Sequence, residues 1–138
     1  MRPRGAFTIL EAVAAVVIIG VAIPPMLWGV KQAHAHRSAK VLASRARWLA
    51  AEKLEDIIAD RHSTTLGYTY LTAANYPDEP EVPGFENFAR AVTFQETAAD
   101  LASAGAGYMT VTCTVAFRDA SGQTRSLALA TVVTDYTP

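Results

Sequence analysis

"GAFTILEAVAAVVIIGVAIPP", residues 5–25, is an apolar run interrupted once, by Glu11 near its start. From Ala12 through Val30 no residue carries a charge, and Val, Ile and Ala dominate. At about 1.5 Å rise per residue, a helix over that stretch nearly matches a hydrocarbon layer about 30 Å thick. Arg2 and Arg4 form a short basic head in front of it. A cleaved secretory signal has a shorter apolar core, a small-x-small cleavage site and then a polar chain. Here Pro24 and Pro25 lead into Met26, Leu27 and Trp28, a poor cleavage region, so the pattern predicts a retained membrane helix. A carboxylate inside such a helix costs on the order of a few kcal/mol and needs a partner or a task. Glu11 either reaches water at the interface or meets a positive charge on another chain.

The residues around Glu11 bear on that choice. "RGAFTILEAVAAVVIIG", residues 4–20, resembles the leader of type IV pilins and of the pseudopilins of type II secretion. In that family a basic leader ending in Gly or Ala is removed by a membrane-embedded prepilin peptidase. The mature chain then begins with an N-methylated Phe and carries Glu as its fifth residue. Counting from Phe7, the fifth residue is Glu11, with Thr8, Ile9 and Leu10 between. The resemblance implies cleavage between Ala6 and Phe7 and methylation of the new Phe7 amine. Gly5, the residue type more usual at this junction, lies one place earlier, and a cut there would make Glu11 the sixth residue. An α-amine is largely cationic at neutral pH, and in low dielectric it and a carboxylate each offset the other's burial cost. The resemblance thus makes Glu11 the charge partner of the Phe7 amine, on its own chain or on the adjacent subunit.

Pro24 and Pro25 depart from the single proline common in that family. Proline lacks the N–H of the helical ladder and restricts the residue before it, which predicts a kink or a locally extended turn. Beyond the span, residues 31–61 keep the helical period. Leu42, Ala43, Ala46, Leu49, Ala50, Leu54, Ile57 and Ile58 recur at three and four, uninterrupted by Gly or Pro. Asp56 and Asp60 lie among Lys53 and Arg61, a mixture that reads as a solvated face. Arg61 and His62 suit the negative helix end, and Gly67 lies past it. Lys31, Arg37, Lys40, Arg45 and Arg47 follow the span without an acidic residue among them. The positive-inside rule alone would place this flank in the cytoplasm. The prepilin resemblance implies the opposite: a single-pass protein of the bacterial inner membrane, N-terminus cytoplasmic and C-terminal domain periplasmic. The basic stretch then reads as a surface for acidic neighbours or lipid headgroups. His34 and His36, two apart on a helix, point to different sides and make a poor metal pair.

The C-terminal part changes period. In "YMTVTCTVAF", residues 108–117, Met109, Val111, Cys113, Val115 and Phe117 share one face, and Thr110, Thr112 and Thr114 the other. "DASGQT", 119–124, reads as a turn, "SLALATVVT", 126–134, as the returning strand, and "FARAVTFQE", 88–96, as a third. Residues 98–106 read as a loose surface loop. Residues 62–87 read as a loop pinned by Tyr68, Tyr70, Tyr76 and Phe85. Asp78, Glu79 and Glu81 raise the thought of calcium, but Pro80 and the lack of ligand spacing weigh against it.

The chain is 138 residues long with a net charge of −1, which gives no whole-chain argument for nucleic acid. Setting the apolar run and the rest of the helix aside leaves roughly 80 residues, enough for a small core. The single cysteine, Cys113, excludes an intramolecular disulfide and falls on an apolar face. No nucleophile–base set, phosphate loop or zinc pattern is present, so a catalytic role, a cofactor and a metal are not expected.

The expected class is α+β. A long N-terminal helix, its first half in the membrane, would pack on a small antiparallel sheet, as the pilin resemblance also implies. The expected division is a leader at 1–6, a transmembrane and assembly half of the helix at 7–30, an amphipathic half at 31–61 and a sheet region at 62–138. "LAAEKLEDI", residues 49–57, looks like the minor subunits of the I-type or V-type. The resemblance implies a minor pilin or pseudopilin in protein secretion, adhesion, motility or DNA uptake, with other such subunits, the prepilin peptidase and the inner membrane as partners. The alternative is a stand-alone membrane-anchored binding domain, with Glu11 at the interface and no processing.

Overall fold

The computed structural model describes residues 8–119 and 121–136. Helix α1 runs Ile9–His62, a 3-10 turn follows at Tyr68–Tyr70, and three strands close the chain: β1 Phe88–Thr97, β2 Tyr108–Arg118 and β3 Thr124–Thr134. The strands form one antiparallel sheet in the order β1-β2-β3. The α+β expectation is met in this form: one long N-terminal helix and a small three-stranded antiparallel sheet.

The chain divides into two compact units, Met1–Arg37 and Ser38–Pro138. In the first, the described residues are helix from Ile9 onward. The helix assignment continues through Pro24 and Pro25, so the locally extended turn expected there is not formed. A proline ring fixes φ near a helical value, and what it removes is an N–H. The carbonyls of Gly20 and Val21 therefore lose their usual amide donors four residues on, while the backbone keeps its helical path.

In the second unit the periods of three-to-four and of two meet in one core. Ala46, Leu49, Ala50, Leu54 and Ile57 of α1 are buried with Val92 of β1, Met109, Val111, Cys113, Val115 and Phe117 of β2, and Val133 of β3. Leu42, Ala43 and Ile58 flank it, half-buried. Alanines on the helix stripe leave room for a close approach, and β-branched residues on β2 suit a pleated surface. Register follows from the alternation, since a one-residue slip would turn every aliphatic side chain of β2 outward. Val111 faces Phe94 on one side and Thr131 on the other.

The connections are more ordered than expected. Residues 98–106 fold back on Asp100, whose carboxylate accepts from the Ala102 and Ser103 amides at 3.1 and 2.9 Å and from the Ser103 hydroxyl at 2.6 Å. The Ala98 amide donates to the Ser103 carbonyl at 2.9 Å, so this is a tied loop and not a loose one. The hairpin between β2 and β3 turns on Asp119. Its carboxylate accepts from the Ser121 hydroxyl, from Arg125 and from the Gln123 and Ser121 amides. These bonds hold its pKa well below the usual carboxylate range. In the long connection before β1, the Tyr76 ring meets Tyr70 edge-on at 6.0 Å and Phe94 at 5.3 Å, and Phe85 meets Trp48 at 6.0 Å. Those rings are what pin it.

Candidate functional site

The candidate site is the start of α1. Thr8 is its cap. The Thr8 carbonyl accepts from the Glu11 and Ala12 amides at 3.1 Å each, and its hydroxyl oxygen accepts from the Glu11 amide at 3.3 Å. Thr and Glu three apart is the capping-box spacing, with a carboxylate in the first turn where the helix dipole favours negative charge. The sequence reading gives Glu11 a charge-pairing role alone and does not assign Thr8, whose hydroxyl on the Glu11 amide is the half of the box that the structure shows. The signal was present as Thr8-x-x-Glu11. Among the described residues no cation lies within ion-pair distance of the Glu11 carboxylate. Ala6 and Phe7, the expected cleavage and methylation site, lie outside the described residues.

Past the cap, the large apolar side chains of this unit stand exposed: Ile9 at 86%, Leu27 at 60% and Trp28 at 72%. The helix is long and apolar enough to cross a membrane, and none of its most apolar window is buried within the chain. Exposed apolar surface of this extent marks contact with lipid or with other chains. Pro24 and Pro25 lie inside it. In hydrocarbon, the Gly20 and Val21 carbonyls would have no water to replace the lost amides, so the proline pair raises the worth of a neighbouring donor there.

In the sheet unit, three of the four charged side chains read as a solvated face, Lys53, Asp60 and Arg61, have partners, while Asp56 is exposed as that reading expects. Arg90, 9% exposed, donates through Nε and Nη2 to Glu79 at 3.1 and 2.7 Å and through Nη1 to the Leu49 carbonyl at 2.9 Å. Lys53 reaches the other Glu79 oxygen at 2.9 Å. Burial works against the Glu79 carboxylate, but hydrogen bonds from Lys53 and Arg90 and their charges outweigh it and lower its pKa. Both oxygens are thus committed to cations, which removes Glu79 from any calcium set. The Tyr76 hydroxyl donates to Asp60 at 2.6 Å, and burial with that bond raises the Tyr76 pKa. Arg61 is 9% exposed and donates to the carbonyls of Thr134, at 2.8 Å, and Tyr136. Lys53, Asp60 and Arg61 therefore join the helix to the rest of the unit, correcting the solvated-face reading. Helical charge mixtures do not reveal partners that arrive from distant strands.

Cys113 is buried, and burial raises its thiol pKa, as fits an unreactive core residue. Among the described residues no three His, Cys, Asp or Glu side chains gather as a metal set. Compared with protein-family profiles, with curated proteins and with solved structures, the chain finds no match.

Proposed function

We propose that the chain is a minor pilin or pseudopilin subunit: a structural, non-catalytic protein that assembles through α1 into a pilus or pseudopilus. Its precursor enters the bacterial inner membrane once, with the sheet unit periplasmic. Prepilin peptidase cuts between Ala6 and Phe7, the new amine is methylated, and other pilin or pseudopilin subunits are its partners. The observation that supports this most is a carboxylate without a cationic partner among the described residues, at the first turn of a helix whose aliphatic surface is left bare. A charge in that position is satisfied by an ammonium presented at the same depth, which a freshly cut neighbour supplies. Electrostatic attraction is strongest where water is scarce, so the pairing favours subunits already seated side by side. The proline pair would loosen or bend the helix locally as subunits leave the bilayer.

The Thr8 cap favours a second reading, in which Glu11 serves only the helix end of a stand-alone anchored domain. Two substitutions separate the readings. Glutamine fills the capping-box position nearly as well as glutamate but carries no charge. Under the proposal Glu11→Gln and Glu11→Leu both leave a membrane-resident, processed protein that fails to enter filaments. Unchanged assembly of Glu11→Gln would overturn the pairing role. Intact-mass measurement of the native protein provides the other test: the expected product starts at a methylated Phe7, and a product still starting at Met1 refutes processing.

A further inference from the structure

Several charges of the sheet unit are spent within it. Glu79 and Arg90 exchange two backbone hydrogen bonds of 2.8 Å, so the segment before β1 covers that strand's edge. Lys53 and Arg90 grip the Glu79 carboxylate there, and Arg61 and Asp60 are bonded to Thr134 and Tyr76. The outward face of α1 differs. Lys40, Arg45, Arg47, Glu55 and Asp56 are exposed, and among the described residues none of them has an ion-pair partner.

Their order along the helix gives the face its character. From Ser38 to Ala51 every charged residue is basic, and from Glu52 to Ala59 every exposed charge is acidic. Helical side chains three or four apart can pair, yet none of the three cations has a carboxylate at that spacing. Arg47 and Glu55 stand about 12 Å apart along the axis at about 1.5 Å per residue. Trp48 lies between the two halves, 57% exposed, with Val41 on the same face at 55%. The Trp48 ring rests against Phe85 at 6.0 Å, which holds it in place as an apolar centre. An aromatic anchor flanked by charge is the make-up of a protein contact.

The sequence of charges selects the occupant. A uniformly anionic surface, such as lipid headgroups or nucleic acid, would meet the cations and be repelled by Glu55 and Asp56. The complement of this face has the same two halves in the opposite order, and the chain itself carries both halves. We propose that the outward face of residues 40–56 docks on the same face of a second copy, the basic half of one against the acidic half of the other. Antiparallel helices achieve this about a two-fold axis level with Ala50, and parallel helices by a shift of about ten residues. Parallel helices in register oppose like charges and are disfavoured. The contact lies within the sheet unit and stands whether or not the chain enters filaments.

Sedimentation equilibrium of the full chain in detergent tests it. Self-association is expected at low salt and should weaken at least about tenfold between about 0.05 and about 0.5 M salt. Arg45→Glu with Arg47→Glu, or Glu55→Lys with Asp56→Lys, should each weaken it by about tenfold, since like charges then face each other. An equimolar mixture of the two variants should associate at least as well as the unsubstituted chain, because one face is then largely acidic and the other largely basic. Failure of the mixture to recover association refutes the pairing of halves. Association indifferent to salt and to both pairs of substitutions places the contact elsewhere and refutes it too. Absence of self-association refutes the second copy. If polyglutamate then binds the unsubstituted chain but not the Arg45→Glu, Arg47→Glu variant, the face belongs to a different, acidic polypeptide.

Discussion

Leu27 and Leu49 belong to the same helix and are the same residue, yet one is 60% exposed and the other fully buried. The difference is not in the helix. Around Leu49 the chain supplies its own complement, the aliphatic face of β2, whereas around Leu27 the described residues supply none. Burying a leucine side chain is worth roughly 1.5–3 kcal/mol, so a helix with so many bare aliphatics needs surroundings that the described residues do not provide. The sheet unit is self-sufficient in this sense; the apolar unit is not.

Alanine at the two positions sharpens that contrast. Leu49→Ala should cost about 4 kcal/mol in unfolding of the full chain in detergent, through lost transfer energy and the cavity left behind. Leu27→Ala should change the same transition by less than about 0.5 kcal/mol, since no core loses a contact. Equal losses would show that the apolar unit contributes to the stability of the other, and the contrast would fail.

The second test removes a charge rather than a methylene. Arg90→Ala strands Glu79 with Lys53 alone and deprives the Leu49 carbonyl of a second donor. We expect a loss of about 3 kcal/mol, at the low end for a broken buried pair because Glu79 retains some water and one cation. Fast exchange of the Glu79 and Arg90 amides should accompany it, reporting that the cover on β1 has lifted. Methionine at position 90 should recover part of the loss by restoring packing without the charge.

How much of this was legible beforehand follows from the range of each signal. The helix stripe and the alternation of β2 could be read because periodicity is local and each residue's face follows from its neighbours. The hairpin turn could be read from "DASGQT", where Asp119 does what its position suggests. Arg90 could not be read in this way. Its partners lie 11 and 41 residues away, and only the packed register of β1 against the helix brings them within reach. Arg61 is the same case at 73 residues, its guanidinium turned to the end of β3 instead of to solvent. The Thr8 cap is different: its spacing is local, and it was overlooked because Glu11 already had an explanation. Where one residue serves two local rules, finding the first hides the second.

A smaller effect is expected at Arg61. Arg61→Ala removes the donor to the Thr134 and Tyr136 carbonyls and should cost about 2 kcal/mol, the range for bonds from a charged donor. The measurement that locates the loss is exchange at the carboxyl end of β3, which should quicken there while the centre of β2 stays protected. Uniform quickening across the sheet would make Arg61 a general support and not a local latch.

The smallest effect is in the acid response. The Glu79 pKa is held below its ordinary value of 4.5, so more protons bind to the unfolded chain than to the folded one as the solution is acidified. Its contribution is therefore complete above 4.5 and lost as the pH falls through the lower folded value. Asp119, depressed from its ordinary 3.8, follows at still lower pH with the same sign. Urea midpoints of the full chain should thus stay level from neutral pH down to the Glu79 range and decline below it. Glu79→Gln should lower the midpoint at neutral pH and make the early part of that decline shallower, leaving the later Asp119 part in place. A Glu79→Gln profile parallel to that of the unsubstituted chain would mean that the carboxylate's pairing with Lys53 and Arg90 adds nothing beyond the backbone bonds to Arg90, and the cover on β1 would then rest on its hydrogen bonds alone.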